Sequence, residues 1–202
     1  MTATWQPLLA NLALVALFTS LVIHCRVATG WRWGILREVA FGALVGFAII
    51  ALMQFPFRLA EGVLIDLRST LIVLSTFFGG PIVGLVAAAA AALYRIHLGG
   101  VGVPAGLIAV AGSLAVGLGA YAVTRGRTVG WFDIAYLALG GASASILAFT
   151  FLPSSMVAQA FNEAALPVGI VLFLATFVAG SAIIQDQIRR RALEDNQMYR
   201  AV

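Results

Sequence analysis

Hydrophobic runs dominate the chain, and the polar breaks between them divide it. Mainly apolar segments can be drawn at about 8–25, 37–54, 62–79, 81–96, 103–123, 130–152 and 165–185. A helix crossing the hydrocarbon core needs about 20 apolar residues. The pattern therefore predicts an all-α, polytopic bundle of six or seven transmembrane helices. The fourth segment is short and alanine-rich from Ala87 to Ala92. Such a run packs closely against its neighbours, which predicts a shielded helix, with a re-entrant course as the alternative. Gly79, Gly80 and Pro81 form a tight reversal between the third and fourth segments. In the sixth, Gly141 and Ser145 make a small-xxx-small pair suited to helix packing or, more sharply, to a dimer interface. Pro153 to Pro167 reads as a solvated outward loop, with a pocket cap as the sharper alternative. From Gln185 the pattern turns polar without a helix breaker, and residues of good helix propensity prevail. This predicts one helix continuing out of the membrane as a rod, and a membrane part of a longer protein.

Composition fits a membrane protein. Of 202 residues 62% are hydrophobic and 10% charged, where soluble domains carry about 25% charged residues. All twelve basic residues are arginine and the net charge is +4. On such a chain charge encodes topology, so no nucleic-acid partner is expected. Arg26, Arg32, Arg37, Arg125, Arg127, Arg189, Arg190, Arg191 and Arg200 fall on one side if seven helices span. By the positive-inside rule that side is cytoplasmic, giving N-outside and C-inside. Trp31, Trp33 and Trp131 then sit at interfacial positions. Met1 to Pro7 has no positive n-region, so the first segment is expected to be retained. The lone Cys25 excludes an internal disulfide and a four-cysteine zinc site.

Asp66, Arg68 and Arg95 interrupt otherwise apolar sequence, where charge is costly and therefore needs a reason. Arg68 lies about 12 residues before the Gly-Gly-Pro turn and Arg95 about 14 after it. At 1.5 Å per residue these are depths of about 18 Å and 21 Å above the turn, so neighbouring antiparallel helices bring both guanidiniums to one level. Two such cations form a clamp for a carboxylate or phosphate, which a planar guanidinium binds in bidentate fashion. Gly99, Gly100 and Gly102 would let the backbone approach a ligand. The plainer reading is that each arginine snorkels to the interface, or that Arg68 pairs with Asp66. Residues two apart on a helix do not face each other, so Asp66 is the weaker partner for Arg68 and could instead reach Arg95. His24 and His97 fall on opposite sides. No paired carboxylates, metal-ligand spacing or phosphate-cradling loop occurs, so neither catalysis, metal nor cofactor is expected in this segment.

At these residues the chain resembles the LytS-YhcK-type five-transmembrane receptor family. The resemblance rests on Asp66-Leu67-Arg68, on Gly79-Gly80-Pro81 with Gly84, and on Arg95 followed by Gly99-Gly100. It is densest over about residues 62–118. It implies a sensory domain over 1–185, with a family core at about 37–185, in a bacterial inner (plasma) membrane. Residues 186–202 would be a cytoplasmic signalling helix leading to a PAS and diguanylate cyclase module or a histidine kinase, in a homodimer. The tail from Leu193 to Arg200 slightly favours the cyclase branch. The implied ligand is a small 2-oxo acid or other carboxylate held by Arg68 and Arg95, with Asp66, Gly99 and Gly100 around it. Kinase-type members commonly carry Asn at the position of Asp66, whose extra negative charge also admits a zwitterionic or cationic ligand. The rival is the substrate-binding membrane subunit of a vitamin-type importer, against which the long polar tail argues.

Overall fold

The computed structural model describes residues 10–20, 34–54, 57–60 and 63–200. His24, Cys25, Arg26, Trp31, Arg32 and Trp33 lie outside them. The described part of α1 is Ala10–Ser20. Helix α2 (Gly34–Gln54) leads to a short antiparallel hairpin, β1 (Phe57–Ala60) and β2 (Val63–Ile65), paired Phe57 to Ile65 and Arg58 to Leu64. Helices α3 (Arg68–Gly79), α4 (Pro81–Leu98), α5 (Val103–Thr124) and α6 (Trp131–Leu147) follow. A 3-10 turn at Ala148–Phe151, the short α7 (Ser154–Gln159) and a π turn at Ala160–Ala164 connect to α8 (Ala165–Arg200).

Five helices among the described residues are long and apolar enough to cross a membrane. Their outward faces carry large apolar side chains such as Phe47, Leu93, Phe132, Leu139 and Ile170. Exposure of this kind suits a lipid surround, since water would make it an association hazard. The protein is thus an all-α, multi-pass membrane bundle with one small hairpin.

The third hydrophobic segment departs from expectation. It is no spanning helix: its first part forms β2, and only twelve residues make α3, about 18 Å at the α-helical rise. A half-length helix cannot face lipid at its broken end, and α3 does not. From Ser69 to Phe77 every residue is buried, so other helices enclose α3 on all sides. That enclosure is why it tolerates hydroxyl residues. Ser75 and Thr76 donate to the carbonyl of Ile72, while Ser69 and Thr70 bond across to other helices.

Small residues set the packing register. At the turn, Gly80 has φ 95° and donates its N–H to Thr76 at 3.1 Å, and Pro81 opens α4. Thr76 then sits between Gly84 of α4 and Gly117 of α5, where any Cβ would collide with it. Gly42 and Gly46 of α2 lie against Val86 and Ala90 of α4, so α2 and α4 run parallel, and Ala87 and Ala91 are fully buried. The alanine run is therefore a close-packed spanning helix. Gly141 abuts Val73 of α3, and Ser145 bonds Ser69; the small-xxx-small pair of α6 serves packing inside the protomer. Helix α8 runs parallel to α3 (Thr70 beside Thr176, Leu74 beside Gly180) and continues without a break over 36 residues.

Candidate functional site

The start of α3, the end of α4 and the start of α5 meet at one end of the bundle. The α5–α6 loop with Arg125 and Arg127, and the Arg189 turn of α8, lie at the other. At the first end is a cavity of about 540 Å³ whose wall includes Asp66, Arg68, Arg95, Gly99 and Gly100. All five ligand-binding candidates from the sequence thus line one space. Its remaining wall is largely apolar, with Met53, Ala105, Ala109, Phe149 and Leu172 among the contributors.

Arg68 is the first residue of α3 and not a mid-helix residue, as a full-length third span would have made it. Asp66 precedes the helix, so the helical rule that sets residues two apart on different faces does not apply. Its Oδ1 accepts the backbone N–H of Arg68 at 3.1 Å and pairs with the Arg68 Nε at 3.3 Å. Asp66 is therefore both a cap and a counter-ion for Arg68, the partnership judged the weaker from sequence. The positive end of the α3 dipole also points here.

Arg95 is differently placed. Its Nε is buried and has no hydrogen-bond partner among the described residues. The side chain lies along the first turn of α5, which only glycine permits. A Cβ on Gly106 would stand 2.7 Å from Nε and 3.0 Å from Cγ and Cδ, and one on Gly102 would stand 2.9 Å from Nη2. Gly99 and Gly100 act otherwise. Their φ angles are 68° and 86°, and a Cβ on either would meet nothing within 4 Å. They serve the turn out of α4, while the close approach of backbone is made by Gly102 and Gly106, to an arginine.

Summed over the described charged residues of the wall, Arg68, Arg95 and Asp66 leave one net positive charge. A buried guanidinium N–H without an acceptor is costly, and among the described residues Arg95 carries one beside this largely apolar wall.

Several wall residues escaped sequence reasoning. Gln54 lines the cavity from the last position of α2 and donates to the Tyr94 hydroxyl. Ser69 and Ser145 line it while bonded to each other at 2.9 Å. Met156 closes it from the segment expected to be a solvated loop, with Leu152 and Val168 just outside the two ends of that segment. That segment is helical and forms part of the wall, with Phe149 and Phe161 in edge-to-face contact at 6.0 Å. Gly106 lines the cavity as well, and its spacing four residues after Gly102 was the legible signal for the seat of Arg95. His97 is exposed at the end of α4, its ring 6.2 Å from that of Tyr94.

No curated protein and no solved structure matches the chain. A family model described as 5TMR of 5TMR-LYT matches residues 15–186, most of the sequence and all five spanning helices as far as Asp186. The chain therefore belongs to the 5TMR-LYT family of five-transmembrane receptors, and is a transmembrane sensory domain of signalling proteins.

Proposed function

We propose that the domain senses a small organic monoanion, a monocarboxylate of the 2-oxo acid class, bound between Arg68 and Arg95. The observation that carries this is the meeting of Arg68 and Arg95 in one cavity wall where Asp66, the one carboxylate among its described residues, is already paired with Arg68. One net positive charge matches one carboxylate. A dianion would leave a charge unpaired, which in a buried site is strongly unfavourable. Asp66 is engaged by both the backbone and the side chain of Arg68, so it offers little to a ligand ammonium group. The apolar floor suits a short alkyl or acyl group.

On this reading the cavity opens to the extracytoplasmic side of a bacterial plasma membrane, and α8 leads to a cytoplasmic output. A PAS and diguanylate cyclase module fits the tail best, a histidine kinase next, with two protomers acting as a homodimer. The message has a short path. Consecutive residues of α3 point to the three parties: Arg68 to the cavity, Ser69 to Ser145 of α6, and Thr70 to Thr176 of α8 at 2.9 Å. Val168 and Leu172 of α8 touch the cavity directly. A ligand shifts such an equilibrium only through different affinities for two arrangements, and the arginines are where that difference arises.

A thermal-shift panel of pyruvate, 2-oxobutyrate, succinate and alanine on the purified protein tests the proposal. Pyruvate or 2-oxobutyrate should stabilise the wild type, and succinate and alanine should not. Arg95→Ala should lose the response, with affinity down at least about tenfold, since hydrogen bonds to charged groups are worth about 1.5–3 kcal/mol. Stabilisation of Arg68→Ala and Arg95→Ala equal to wild type would defeat the assignment.

A further inference from the structure

The described part of α1 is mainly apolar, yet Asn11 on it is buried, with 1% of its surface exposed. A carboxamide there is costly unless it is bonded. Its Oδ1 accepts the backbone N–H of Leu67 at 3.1 Å, across 56 positions of sequence. Leu67 is the N-cap of α3 and has no side-chain cap of its own. In a capping box the third helical residue would reach back to that amide. Here that residue is Thr70, whose hydroxyl is engaged with Thr176. Asn11 supplies the missing acceptor from another helix.

Two successive amides before and at the first turn of α3 are thus held by two side chains. Asp66 takes that of Arg68, and Asn11 takes that of Leu67. One is the amide of the residue that lines the cavity, Arg68, and the other that of the residue just before it. Asn11 also lies outside the family match, which begins at residue 15.

We infer that Asn11 is a positioning residue for Arg68. It fixes the broken end of α3 and so sets where the guanidinium stands in the cavity, making α1 part of the binding apparatus. The consequence for ligand affinity rests on the function proposed above; the consequence for α3 does not.

The test uses the full chain in lipid nanodiscs, with hydrogen exchange over residues 66–71 and pyruvate titration as separate readouts. Asn11→Leu removes the acceptor, and Asn11→Ala does so without adding bulk, in case the larger side chain fails to fold. Either should speed exchange over 66–71 by about tenfold or more, as for an amide left without its buried partner, while exchange in α6 stays at wild type. Pyruvate affinity should fall by about tenfold with it, the loss of a well-made contact to a charged group. Asn11→Asp keeps an acceptor for the Leu67 amide and should hold exchange over 66–71 within about twofold of wild type, while the negative charge it adds near Arg68 should weaken pyruvate binding. Wild-type exchange over 66–71 in the Leu and Ala variants would overturn the inference, as would failure of Asp to restore slow exchange there. Should the wild type bind no pyruvate, the ligand assignment falls. The exchange comparison then decides Asn11 alone: rescue by Asp supports the inference, and equal exchange in all variants overturns it.

Discussion

At the scale of single residues, the two arginines are unlike each other in a way that spacing could not disclose. Arg68 starts a helix beside its own counter-ion, whereas Arg95 is threaded along glycines, its Nε without a hydrogen-bond partner among the described residues. Asp66 is the residue that tunes the pair. Asp66→Asn keeps an oxygen for the Arg68 amide and removes a negative charge, so the wall goes from one net positive charge to two. We expect the variant to fold and to gain affinity for a dicarboxylate such as succinate by about tenfold or more, because charges several ångströms apart in a partly buried site interact by about 1–2 kcal/mol or more. Calorimetric titration of wild type and variant with pyruvate and succinate reads this directly; unchanged preference would mean that Asp66 does not set the charge of the site.

At the scale of elements, α3 is the centre of the molecule and α8 its longest member. The hydroxyl pair Thr70 and Thr176 is buried, at 1% and 2% exposure, and joins them two residues from Arg68 and one turn from Leu172. Thr70→Val and Thr176→Val should each destabilise by about 1–2 kcal/mol, since each leaves a hydroxyl without its partner, while the double variant should cost less than the sum. A double-mutant cycle on detergent unfolding measures the coupling; additive losses would show that the bond carries nothing between the helices. If α8 carries the output, the same variants should bind pyruvate near normally yet show a smaller ligand-dependent change in distance between spin labels on the α8 tails of two protomers.

At the scale of the whole molecule, the ends of the bundle differ in chemistry. One end gathers the cavity, the other the α5–α6 loop, where Arg127 is paired with Asp133, and the Arg189 turn of α8. The arginine-rich end should be cytoplasmic, which would place the cavity outside. In a Cys25→Ser background, a cysteine at the exposed Val101 should react with an impermeant maleimide in intact cells, and one at the exposed Thr128 only after permeabilisation. The reverse pattern would invert the orientation and turn the site into a sensor of the cytoplasm.

Much of this was legible along the chain. Helical rise and a glycine-proline turn are local, so counting from Gly80 to Arg68 and Arg95 sufficed to bring the two cations to one level, and an unbroken run of helix formers after Ile184 sufficed for the rod. The half-length of α3 was not legible, because an apolar run such as 62–79 has no period that separates a buried strand and turn from more helix. Nor could the role of Asp66 be read while it was counted as helical. The capping by Asn11, the seating of Arg95 on Gly106 and the bond from Thr70 to Thr176 join residues far apart in the chain. Such partners are chosen by packing, which places a buried polar group beside whatever acceptor the fold delivers, and no local pattern records that choice.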